Sequence, residues 1–189
     1  MIEQKIRESI AVKQKILEDK EFTAKIAIVA KLLIDAFGQG RKVLFCGNGG
    51  SAADAQHLAA EFSGRFYYDR SPLDAEALHV NTSYLTAVAN DYSYDEVYSR
   101  LVRAKGSEGD VLFAISTSGN SPNIIRAVDT ANNLGMLTIG LTGESGGRMK
   151  NNCRYLLNVP SADTPRVQEA HILIGHIICE LVESTLFPK

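Results

Sequence analysis

A chain of 189 residues with 45% hydrophobic and 22% charged side chains is long enough for one domain with a full core and has the make-up of an ordinary globular protein. Lys and Arg number 20 against 22 Asp and Glu, so the net charge of -2 supplies no broad basic field and argues against nucleic acid as a partner. Cys46, Cys153 and Cys179 are odd in number and far apart, which fits reduced thiols better than disulfides or a zinc knuckle; with no apolar export segment at the amino terminus and no stretch able to span a bilayer, the expectation is a cytoplasmic chain without membrane contact.

Residues 2–20 and 22–37 carry apolar side chains at helical spacing, among them Ile26, Val29, Leu33 and Ala36, and Gly38 and Gly40 stop the second helix. Short apolar runs follow at 42–46, 76–80, 110–115, 136–141 and 154–159, separated by helical patterns near 51–62, 83–104 and 122–134. This alternation predicts an α/β fold with a parallel sheet covered on both faces. From Pro165 to Leu186 runs a last helix whose apolar residues, Val167, Ile172, Leu173, Ile177, Ile178, Leu181 and Val182, nearly encircle it. Such a helix is either deeply buried or packed on a neighbouring subunit. The whole chain reads as one domain: helices over 1–40, sheet and flanking helices over 41–160, and the terminal helix over 163–187.

Two strand-to-helix junctions carry the chemistry. The run Asp110 to Ile115 enters Ser116-Thr117-Ser118-Gly119-Asn120-Ser121, and Pro122 fits the first turn of the next helix, where a missing N–H costs nothing. Hydroxyls, free backbone N–H groups and the positive pole of a helix dipole there favour phosphate. The earlier run Val43 to Cys46 enters Gly47-Asn48-Gly49-Gly50-Ser51 in the same way. Two such loops on one sheet edge suggest a phosphorylated small molecule held between them. The first loop also satisfies a permissive dinucleotide fingerprint, but the next apolar run ends in Asn81-Thr82 without the acidic residue that holds a ribose, and neither loop has the lysine of a P-loop. Beyond it, His57 and Glu61 share one helix face at i, i+4 spacing. Gln168, His171 and His176 stand among apolar neighbours on the last helix, as satisfied core groups or as parts of a site.

These residues, together with Gly64-Arg65, Asn90-Asp91, Leu141-Thr142-Gly143 and Arg166-Val167-Gln168-Glu169, resemble the phosphoheptose isomerase family of sugar-isomerase (SIS) domains over nearly the whole chain. The resemblance implies a three-layer αβα sandwich with a five-stranded parallel sheet in flavodoxin-like order. It also implies interconversion of sedoheptulose 7-phosphate and D-glycero-D-manno-heptose 7-phosphate, the first step toward nucleotide-activated heptoses. It casts Ser116, Thr117, Ser118 and Ser121 as phosphate ligands, and Asn48, Gly49, Gly50, Ser51, Asn90 and Asp91 as sugar contacts. Glu61 would be the base, His176 the acid and Gln168 an orienting group, with Arg65 available to phosphate. A zinc ion on His57, Glu61, Gln168 and His176, one per subunit, and a homotetramer with interface active sites complete the implication. Gln168 and His176 are eight residues apart, roughly 12 Å along one helix, so one of them is expected to reach the site from a neighbouring chain. The chain is also similar to an SIS adaptor that binds the replication initiator, yet it keeps the two proton carriers that the adaptor lacks. A sugar-phosphate sensor is the third reading.

Overall fold

The computed structural model describes residues 1–189. Two helices lead, α1 (Ile2–Glu18) and α2 (Lys20–Gly38). Asp19 separates them, its carboxylate accepting from Phe22 N at 2.9 Å as the N-cap of α2. There follow β1 (Val43–Gly47), α3 (Gly50–Ser63), β2 (Ala75–Ala77), α4 (Thr82–Asp91), a single 3₁₀ turn (Tyr94–Glu96), α5 (Val97–Lys105), β3 (Val111–Ile115) and α6 (Pro122–Asn133). The chain ends with β4 (Leu137–Thr142), the short α7 (Met149–Asn152), β5 (Tyr155–Asn158) and α8 (Thr164–Leu186).

All five strands are parallel, in the order β2-β1-β3-β4-β5, the flavodoxin-like order that the resemblance implies. Alternate residues of each strand feed two cores. Val43, Phe45, Val111, Phe113, Ile139 and Leu141 face α1, α2, α3 and α8. Leu44, Cys46, Leu112 and Ala114 face α5, α6 and α7. On the first face Phe62 of α3 bridges Phe37 and Phe45 at ring separations of 5.3 and 6.1 Å, locking α3 between α2 and the sheet.

Two local expectations are corrected, and the terminal helix takes the buried form of its two readings. The pattern over 83–104 is not one helix: α4 ends at Asp91, and Ser93 is fully extended before the 3₁₀ turn restarts the chain. The second strand is shorter than 76–80, so His79 lies in a turn rather than on a strand, half-buried with Nδ1 lacking a partner. The terminal helix is mostly covered within the chain: Val167, Ile178 and Val182 are buried against α2 and α3, which leaves Ile177 and Leu181 as an exposed stripe.

Candidate active site

β1 and β3 are neighbours in register, with Gly47 opposite Ile115, so the two loops predicted to hold a ligand leave adjacent strands at the same level. After β1 the chain crosses toward β2, and after β3 it crosses toward β4; the crevice opened between such diverging crossovers is where open α/β sheets bind ligands.

Backbone geometry fixes the first loop. Gly49 takes φ 56, and a side chain on Gly47 would run into the Ser51 carbonyl, so the chain turns tightly enough for Ser51, Ala52 and Ala53 N–H groups to bond back onto Asn48 and Gly49. Gly49 and Gly50 are exposed at the mouth of the crevice, with Ser51 buried beneath.

In the second loop Gly119 takes φ 66, and the Ser116 and Ser121 hydroxyls meet at 3.1 Å. Ser118 Oγ accepts from Asn120 N at 3.1 Å, whereas the backbone N–H groups of Thr117, Ser118 and Ser121 have no backbone acceptor. Ser121 is the residue before α6 and makes no side-chain cap, and with Pro122 lacking an N–H, Asn123 N is the first N–H of α6 and has no acceptor, so it stays available to an anion. The turn Gly143-Glu144-Ser145-Gly146-Gly147, whose purpose the sequence does not reveal, braces this loop from behind. Met149 N donates to Gly119 O at 3.1 Å and Arg148 N to Asn120 Oδ1 at 3.0 Å, while a side chain on Gly147 would strike the Ser118 carbonyl and one on Gly119 the Gly146 carbonyl.

A group missed in the sequence joins the two loops. Asn123 of α6, buried at 2% exposure, exchanges two hydrogen bonds of 2.9 Å with the Asn48 amide, and Asn48 Oδ1 also accepts from Tyr94 at 3.2 Å. The Asn48 side chain is therefore spent largely on holding the crevice together. Tyr94 also ties the segment after α4 to the first loop; Asn90 and Asp91, just before it, are exposed and bonded to each other at 2.9 Å.

Along one side of the site α3 and α8 run beside each other. The Gln168 amide closes over Gly50, where any Cβ would collide with it, and His176 meets His57, with ring nitrogens 2.9 Å apart. Glu61 Oε1 stands 3.3 Å from His57 Nε2. One chain thus brings His57, Glu61 and His176 together and puts Gln168 at the other end of the same helix pair, by the first loop. His171, between them, faces inward, its Nε2 3.2 Å from Thr142 O, and burial pulls its pKa down to about 4. Asp54, one turn before His57, has a buried Oδ2 without a partner; burial pushes its carboxyl up to about 6, against the pull of His57. Arg65 is exposed just past α3 and forms no ion pair.

Two imidazole nitrogens and a carboxylate oxygen facing one another are a donor set that suits zinc. As packed they bond to one another rather than surround a common point. Gln168 is not part of this cluster.

The SIS domain family matches residues 6–143. A phosphoheptose isomerase from Clostridium acetobutylicum is 55% identical over 98% of this chain and 95% of its own length, and one from Aneurinibacillus thermoaerophilus is 52% identical over 98% and 94%. This chain belongs to the phosphoheptose isomerase family of SIS domains. Solved structures agree: phosphoheptose isomerases from Francisella tularensis and Neisseria gonorrhoeae superpose with TM-scores of 0.93 and 0.89, at 37% and 45% identity, each over 97% of this chain.

Proposed function

We propose that this protein is the aldose-ketose isomerase that interconverts sedoheptulose 7-phosphate and D-glycero-D-manno-heptose 7-phosphate. The observation that carries the reading is a carboxylate and an imidazole, Glu61 and His176, gathered beside the same His57 at the flank of a phosphate-fitted crevice. Phosphate would bind the Thr117, Ser118 and Ser121 N–H groups and the hydroxyls of Ser116, Thr117, Ser118 and Ser121. The sugar would then extend past Gly49, Gly50 and Ser51 toward α3, with the Gln168 amide orienting it and Asn90 and Asp91 at its flank.

Moving the carbonyl from C2 to C1 requires removal of a carbon-bound proton next to a carbonyl, an enediol, and return of the proton to the adjacent carbon. Glu61 carries that proton from C1 to C2, while His176 supplies and withdraws protons at the two oxygens. His57, Glu61 and His176 would hold a zinc ion, which would polarise the sugar oxygens, and a carboxylate bound to it would be a weaker base. A homotetramer would bury the exposed Ile177 and Leu181 stripe and could bring Arg65 to a neighbouring phosphate; cytoplasmic residence fits an enzyme acting on sugar phosphates. The adaptor reading finds no support, because the side chains that distinguish the enzyme are present and assembled.

The deciding experiment incubates purified protein with sedoheptulose 7-phosphate and follows ketose and aldose by NMR. Glu61→Gln removes the proton acceptor and keeps the shape, so conversion should vanish while the substrate still binds through its phosphate. Turnover by Glu61→Gln at the parent rate would reject Glu61 as the base.

A further inference from the structure

The end of α3 lacks the usual means of closing a helix. Its last residues carry no basic side chain, and the capping Gly64 is not left-handed, with φ -95. The exposed carbonyls are met instead by Arg70, which folds back from the following loop. Nη2 donates to Glu61 O at 2.8 Å, and Nη1 donates to Phe62 O, Gly64 O and Ser71 O at 2.6, 3.2 and 3.0 Å. Nε donates to Glu183 Oε1 on α8 at 3.1 Å, and both side chains are only 2% exposed. The Glu183 carboxylate also accepts from Phe66 N at 2.9 Å and Tyr67 N at 2.7 Å. Burial raises its pKa, but these N–H groups and the guanidinium outweigh that and hold it below the usual carboxylate range.

Stability alone is a weak reason to bury an ion pair, since an apolar pair of similar volume is often as good. Its placement supplies a better one. Glu183 lies seven residues beyond His176, two turns along the same face of α8, and Arg70 grips the carbonyl of Glu61 itself. We infer that Arg70 and Glu183 are positioning residues that fix the axial register of α3 against α8 and so hold the Glu61 carboxylate opposite His176. The same pair anchors Gly64 O and Phe66 N, the two backbone groups on either side of Arg65, and so sets where that guanidinium leaves the surface. The inference rests on the reading of Glu61 as the base.

Arg70→Lys keeps the charge but lacks the fork that reaches Glu61, Phe62, Gly64, Ser71 and Glu183 at once. A base displaced by about 1 Å loses on the order of 100-fold in rate, so kcat should fall by about that factor while KM, set by the phosphate loop on the other strand, shifts less than about threefold. Asp110→Asn is the control. Asp110 is equally buried, bonded to Lys42 and Ser107 below the opposite end of the sheet, and its loss should lower the melting temperature without lowering kcat. Arg70→Gly should regain kcat when methylguanidinium is added, which general stabilisation would not produce. If Arg70→Lys does not fold, Glu183→Gln answers the same question, since it keeps the shape and gives up the charge. Unchanged kcat in the folded variant overturns the inference, as does an Asp110→Asn control whose kcat falls as far as that of Arg70→Lys for a similar loss of melting temperature. Glu61→Gln in the same assay separates the two failures: an active Glu61→Gln rejects the base, whereas an inactive Glu61→Gln beside a fully active Arg70→Lys rejects only the positioning pair.

Discussion

His171 is the side chain from which a stability profile can be worked most directly. It has no exposed surface, its Nε2–H points at Thr142 O, and its Nδ1 has no partner, so it is held neutral. Its pKa drops from 6.5 to about 4, chiefly through burial. Between those values the unfolded chain binds a proton that the folded chain refuses, so stability is complete above pH 6.5 and declines as the pH falls toward 4. At about 1.4 kcal/mol per pH unit, the folded state should lose about 2 to 3 kcal/mol by pH 4.5. His79, also lowered by burial, acts in the same direction, whereas Asp54, raised to about 6, acts oppositely. Comparison with His171→Leu cancels both. Thr142 O keeps its bond from Val159 N at 2.8 Å, so the variant should lie within about 1 kcal/mol of the parent at pH 7.5. Urea unfolding at fixed protomer concentration at pH 7.5, 6.5, 5.5 and 4.5 should then show the variant overtaking the parent by about 2 to 3 kcal/mol at the lowest pH. A difference between the two that stays constant across this range would refute the reasoning.

Gly147→Ala puts a methyl group against the Ser118 carbonyl from the bracing turn, and isothermal titration should show weaker binding of inorganic phosphate by about tenfold or more. Asn123→Leu removes both bonds to Asn48 and leaves its half-buried amide only the bond from Tyr94; thermal unfolding should show a loss of about 1 to 3 kcal/mol together with a raised KM. Gly50→Ala meets only the movable end of Gln168, so it should change KM with little effect on the melting temperature. Removal of metal by a chelator, followed by zinc titration of the parent and His57→Ala, should show zinc binding in the parent weakened at least tenfold in the variant; equal affinity would place any zinc elsewhere.

The features that resisted reading are pairings between distant segments. Asn48 and Asn123 are 75 residues apart, and His57 and His176 are 119 apart; no periodicity or spacing connects such positions. Nothing local to Arg70 or Glu183 marks either of them, and only packing makes them one buried pair. The 143–147 turn had no meaning in isolation because its role is to fill the space behind another loop. Gln168 and His176 stand at different heights on one helix, and the parallel run of α3 beside α8 lets a single chain bring His176 and Glu61 to His57 while Gln168 reaches Gly50.

The sequence alone determined what acts within a few residues: the alternation of strands and helices, the two glycine and hydroxyl loops at helix starts, and the shared face of His57 and Glu61. These depend on backbone geometry and helical period, which neighbouring residues carry in themselves. The tertiary structure decided which loops share a crevice, which face α8 covers, and which polar groups meet in the interior, because burying apolar surface against remote segments selects those partners.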